Sequence, residues 1–234
     1  MLDQILDSSL SLSLKTPLVL LILIALEAVL SADNAIALAA IAQEIENPKD
    51  QRYALNIGLL IAYVLRMILI FTATWVIKYW QFELLGAIYL LWLVFKYFTS
   101  QETDEEKAHR LGFSSLWQAI PMIAVTDLAF SLDSVTTAIA VADDLWLVLV
   151  GGTIGVITLR FLAGLFIRWL EEFTHLEDAG LVTVGLVGLR LLLRVINPEV
   201  VLPEWAMILL VSALFVWGFS ERKPSNPNIE KTRD

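Results

Sequence analysis

Glu27, Ser31, Asp33 and Asn34 stand inside an apolar run from Pro17 to Ala42, long enough to cross a bilayer. An acid at the centre of such a run is expensive, about 2.5–3.5 kcal/mol for Asp on insertion scales. One hundred positions later the spacing returns as Asp127, Ser131, Asp133 and Ser134. An acid, three residues, a serine, one residue, an aspartate and then a small polar residue is a costly pattern, and it is written twice. The donor atoms are hard oxygens from carboxylates, hydroxyls and one amide. Such donors suit Mg²⁺, Ca²⁺ or Mn²⁺, and this chemistry does not choose among the three. The chain has no cysteine, and its two histidines, His109 and His175, fall between apolar runs, so soft-metal ligation is not expected.

Charge sharpens the reading. Glu27, Asp33, Asp127 and Asp133 face two arginines within apolar runs, Arg66 and Arg160, which leaves two negative charges over. Arg190 lowers the excess to one if it pairs with an acid instead of snorkelling to the surface. An excess of that size matches one divalent cation, or the protons that replace it. The arginines are expected to be counter-ions, since a cation cannot bind them. On a regular helix Glu27, Ser31 and Asn34 share a face and Asp33 lies on its flank, as do Asp127, Ser131, Ser134 and Asp133. Both acids of a motif then reach one site only if the helix unwinds near Ser-x-Asp or the site is a crevice with two walls. Unwinding is the expectation here, with Ser31, Ser131, Thr136 and Thr137 satisfying the freed backbone groups.

The elements that must hold these groups are membrane helices. Of the 234 residues 58% are hydrophobic, with a mean hydropathy of +0.72. Apolar runs at about 17–42, 54–78, 82–98, 116–141, 146–170, 179–196 and 203–219 give seven candidate spans. A net charge of −9 argues against nucleic-acid binding. The start lacks the basic segment of a cleaved signal peptide, so the first span is expected to remain. Lys and Arg concentrate on the side carrying Lys49, Arg52, Lys107, Arg110, Arg168 and Arg222, which the positive-inside rule makes cytoplasmic. That predicts the N-terminus outside and the C-terminus in the cytoplasm.

Because three spans separate the two motifs, the two halves enter the membrane in opposite directions. The expected architecture is an all-α polytopic membrane protein of seven transmembrane helices: two inverted three-helix repeats and one extra C-terminal helix. As one membrane domain over 1–234, it divides into a first repeat at 17–98, a cytoplasmic loop at 99–115 and a second repeat at 116–196. The seventh helix follows at 203–219 and a cytoplasmic tail at 220–234.

The paired stretches Glu27-x-x-x-Ser31-x-Asp33-Asn34-Ala35 and Asp127-x-x-Phe130-Ser131-x-Asp133-Ser134 resemble the TerC family of integral membrane proteins, within the LysE-like transporter superfamily. The resemblance runs over about residues 17–219. It implies the seven-helix inverted-repeat fold, Mn²⁺ export for several members and an association with tellurite resistance for others. Carried over by position, it assigns metal binding to Glu27, Asp33, Asn34, Asp127, Asp133 and Ser134. Ser31, Ser131, Arg66 and Arg160 support them. Mn²⁺ is then the transported ion, not a prosthetic group, and protons and the lipid bilayer are the other partners. The expected location is a bacterial plasma membrane or a thylakoid membrane.

A Mn²⁺ exporter is the leading expectation, and cation/proton exchange through shared carboxylates is one form it would take. A Ca²⁺ transporter would use the same ligands. A membrane-protein assembly or metal-delivery factor without transport is the alternative from another class, since the resemblance extends to members linked to biogenesis. Enzymatic activity is not expected. An intramembrane aspartyl protease would share a proton between two aspartates, but the Gly-x-Gly-Asp usual there is replaced by Leu30-Ser31-Ala32 and Phe130-Ser131-Leu132.

Overall fold

Asn47 and Pro48 show how sharply the polar breaks in this sequence start helices. The Asn47 side chain accepts from the Lys49 amide at 3.0 Å, and Pro48 occupies the first helical turn, where its missing N–H is no loss. The computed structural model describes residues 21, 31, 34–45, 47–99, 115–142 and 144–223. Glu27 and Asp33 lie outside the described residues, as do His109, most of the 99–115 loop and the last eleven residues.

Seven α-helices occupy the described chain: α1 (Asn34–Gln43), α2 (Pro48–Val76), α3 (Trp80–Thr99), α4 (Leu116–Val141), α5 (Leu145–Glu172), α6 (Leu176–Ile196) and α7 (Glu204–Gly218). Helices α2 to α6 are long and apolar enough to cross a membrane. The protein is a multi-pass integral membrane protein. Several helices outrun the apolar windows that announce them. Helix α2 begins at residue 48 instead of 54, and α6 at 176 instead of 179. Hydropathy marks only the stretch within hydrocarbon, whereas capped polar turns continue into the headgroup region. At 29 residues, α2 is about 43 Å long, well beyond the hydrocarbon thickness of about 30 Å.

Helix α1 is buried on every side. Ala35, Ile36, Ala37, Leu38, Ala39, Ala40, Ile41 and Ala42 are all inaccessible, as a helix that is apolar all round should be when it runs through a core. Its small residues let neighbours approach: Gly180 of α6 rests on Ile36, and the Gln43 side-chain amide donates to the Ile167 carbonyl of α5 at 2.8 Å. Around α1, helix α4 packs chiefly on α2, α3 on α6, and α7 on α6. The outward faces carry Phe71, Phe95, Trp117, Phe161 and Val216, each more than half exposed, a surface suited to lipid.

Past α7 the chain returns to the α5–α6 corner. The Lys223 amide donates to the Glu172 carbonyl and its ammonium to the Leu170 carbonyl, both at 2.8 Å, which satisfies oxygens that the end of α5 would leave open. His175 stacks on Trp217 and bonds to Glu221 at 2.9 Å.

The α2–α4 contact depends on Gly58. A Cβ there would stand 2.6 Å from Ile123 Cγ2 and 3.3 Å from the Ile120 carbonyl oxygen, so the helices would have to separate. Gly58→Ala is expected to destabilise the detergent-solubilised protein by about 1–3 kcal/mol. Gly185→Ala, whose Cβ would meet Val94 at an ordinary 3.6 Å, should be neutral or stabilise by up to about 1 kcal/mol. Thermal unfolding of the two variants checks the contrast, and equal losses would contradict it.

Candidate functional site

Helix α4 carries the second polar motif through the core without a break. Asp127 and Ser131 are completely buried, and Asp133 and Ser134 are nearly so. The expected unwinding near Ser-x-Asp does not occur in this copy. The hydroxyls instead bond within the intact helix: Ser131 donates to the Asp127 carbonyl at 2.7 Å, Ser134 to the Ser131 carbonyl at 3.4 Å, and Thr136 to the Leu132 carbonyl at 2.6 Å. The helix has no need to unwind because its two acids serve different neighbours. Six residues apart, they point about 120° from each other and lie about 9 Å apart along the axis.

Asp127 faces α2, where Arg66 Nη2 stands 3.5 Å from its Oδ1; both side chains are shut off from the surface. Its Oδ2 is 3.4 Å from the Ser131 hydroxyl. Asp133 faces α6. Arg190 Nη1 donates to Asp133 Oδ2 at 2.5 Å, and Arg194 Nη2 forms an ion pair with Oδ1. Arg194 also reaches toward Glu83 at the start of α3, with Nη1 3.8 Å from Oε1. Arg190 therefore pairs and does not snorkel. Each acid of this motif is neutralised by at least one guanidinium, and both Asp133 oxygens face one.

In the first motif the described residues are Ser31 and Asn34, and both are buried. Among the described residues no three Asp, Glu or His side chains converge as a metal cluster would require. The structure thus brings Asp127 together with Arg66 and Ser131, and Asp133 with Arg190. Ser134 stays on α4, one turn from Ser131.

Among the described residues Arg160 does not stand beside a motif acid. Its Nε donates to Asn56 of α2, and Arg160 itself lines a cavity near the start of α2 and the end of α5. A side chain of this length reaches whichever polar group lies one turn away on the adjoining helix, and Asn56 is there. Arg194 and Glu83 belong to the site although the repeated motif does not include them. The signal for Arg194 is its i, i+4 spacing from Arg190, which puts both guanidinia on one face of α6. Nothing in the spacing points to Glu83. Nearby, Tyr89 of α3 and Thr126 of α4 share a hydroxyl hydrogen bond of 2.8 Å beside Asp127 in the sequence.

Comparison with known proteins finds relatives for this chain. A model described as the integral membrane protein TerC family matches residues 13–225. The chain is 33% identical over 200 residues to the uncharacterized membrane protein YceF of Bacillus subtilis strain 168, covering 82% of this chain and 77% of that one. It is 34% identical over 196 residues to the membrane protein YkoY of the same organism, covering 75% of this chain and 59% of YkoY, so it spans less than two thirds of that relative. It is 30% identical over 185 residues to the inner membrane protein YgdQ of Escherichia coli K12, covering 72% of this chain and 77% of that one. No solved structure matches it.

The buried pair makes a sharp energetic prediction. Arg66→Met takes the guanidinium away from a fully buried carboxylate and should cost about 3–5 kcal/mol. The double variant Arg66→Met/Asp127→Leu removes both charges and should recover most of that loss in denaturant unfolding. If the double variant is as unstable as the single, Arg66 contributes by packing and not by charge.

Proposed function

The chain belongs to the integral membrane protein TerC family, and from that premise we propose that it is a divalent-cation transporter, with Mn²⁺ efflux as its activity. The observation that carries this reading is α4, a membrane-spanning helix with two buried acids six residues apart, Asp127 and Asp133. Ionisable groups at such depth mark ion pathways and proton relays by default. The cation would be taken between α4 and the first motif, by Glu27, Asp33, Asn34, Asp127, Asp133 and Ser134.

In the proposed cycle guanidinia are the alternative partners of the carboxylates, as Arg190 and Arg194 are of Asp133. An arriving cation displaces them, and Arg194 has a second acid to turn to in Glu83. Protons compete with metal for the same oxygens, which couples metal movement to a proton gradient. Two inverted three-helix repeats would supply alternating access, with the site at their interface. The packing of α3 on α6 and of α2 on α5, equivalent helices of the two halves, supports that symmetry. The bias of Lys and Arg supports an N-terminus outside and a C-terminus in the cytoplasm.

A second reading is favoured by one observation: Asp127 and Asp133 are already paired with arginine, as they would be if they only fastened helices. On that reading the protein is an assembly or metal-delivery factor without transport. A Ca²⁺ carrier is the variant within the transporter class.

Mn²⁺ flux into proteoliposomes separates these. Wild type should carry Mn²⁺, Asp33→Asn/Asp133→Asn should reduce flux at least tenfold, and excess Ca²⁺ should leave Mn²⁺ flux intact. Imposing a proton gradient should change the rate, and indifference to it would remove the antiport step. Inhibition by Ca²⁺ would favour the broader carrier. Absent flux from correctly folded wild type would favour the assembly factor.

A further inference from the structure

A second polar feature lies away from the acids. Between the first turns of α2 and the last turns of α5 is a cavity of about 720 Å³. Among the described residues three arginines line it, Arg52 from α2 and Arg160 and Arg168 from α5, against one carboxylate, Glu171. Among the described residues no acid forms an ion pair with any of the three. Arg52 and Arg160 are close enough for their like charges to act on each other. Like charges gathered on one wall repel one another, and an anion that joins them makes strong charge-assisted hydrogen bonds.

Arg160 is held for that purpose. Asn56 of α2 accepts from its Nε, which ties the guanidinium to the neighbouring helix. Gly164, one turn along α5, keeps the space open: a Cβ there would come within 3.2 Å of Arg160 Nη1. The rest of the wall is of another kind. Phe161 and Leu165 line the same cavity and are exposed on the outer surface of α5, 75% and 37% respectively, where acyl chains would lie. One side of the cavity suits a phosphate and the other a hydrocarbon chain.

We propose that this cavity binds the phosphate headgroup of an anionic phospholipid, with Arg52, Arg160 and Arg168 on the phosphate and Phe161 and Leu165 against the acyl chain. A soluble phosphate shares the headgroup chemistry but would leave the apolar wall unused. A metal cation is the wrong ligand for three guanidinia, so the site stands apart from the proposed transport path.

Native mass spectrometry of the full-length protein with phosphatidylglycerol and phosphatidylcholine in equal amounts tests this. Wild type should retain phosphatidylglycerol in preference, with about a fivefold loss for each arginine removed. Arg52→Gln/Arg168→Gln changes two exposed side chains and is the decisive variant if Arg160→Gln fails to fold. Gly164→Leu keeps every charge, crowds Arg160 and should also weaken retention. Lys78→Gln, just past the opposite end of α2, should have no effect. Equal phosphatidylglycerol retention by wild type and Arg52→Gln/Arg168→Gln would overturn the proposal. Displacement of the lipid by excess inorganic phosphate, with a matching rise in Tm from phosphate alone, would overturn it in favour of a soluble anion.

Discussion

A carboxylate in the hydrocarbon of a membrane must be neutralised where it stands, and the arrangement of this bundle follows from how Asp127 and Asp133 meet that requirement. Desolvation of an unpaired charge costs far more than any single packing contact in the protein returns. Helix α4 therefore has to lie where Arg66 of α2 can reach one acid and Arg190 and Arg194 of α6 can reach the other. The two acids sit on different faces because they are six residues apart, so α4 packs directly on α2 at one acid while long arginine side chains from α6 reach across to the other. Gly58 permits the close approach on the first side. Interhelical packing in lipid lacks the hydrophobic drive available in water, which leaves charge pairing and small-residue contacts to choose the neighbours.

Much of this is legible in the amino-acid sequence. Hydropathy locates the long helices because a bilayer demands about twenty apolar residues in a row, and α4 runs over the same 116–141 window that hydropathy marks. The burial of Asp127, Ser131, Asp133 and Ser134 follows from their place in that window. Helix ends are less legible, since the first turns of α2 and α6 are polar and rely on a cap or on acids near the N-terminus.

Partners are the hardest to read. Periodicity says which face of a helix a residue occupies but not which helix lies opposite. A guanidinium at the end of three methylenes can reach across more than one turn. Arg66 and Arg160 occupy similar places in the two halves, yet Arg66 meets a buried aspartate, and Arg160 lines a cavity and meets an asparagine. The intact α4 differs from the expected broken helix for a related reason. A break is needed only if both acids converge on one point, whereas each is provided for separately.

The paired state also constrains any cation that would enter. To take Asp133 from its arginines, a cation must compensate for two guanidinia that lose a partner in a medium where stranded charge is costly. Arg190 is deeply buried, so its release is the harder step. Arg194 is about one-fifth exposed and already leans toward Glu83, so its charge has somewhere to go. The two arginines thus differ although they occupy one face of one helix: Arg190 is the more deeply buried, and Arg194 has a second acid within reach. A divalent ion brings two charges to the exchange where a proton brings one. A cation site built on arginine-paired carboxylates would therefore discriminate by the charge a ligand can supply before it discriminates by size.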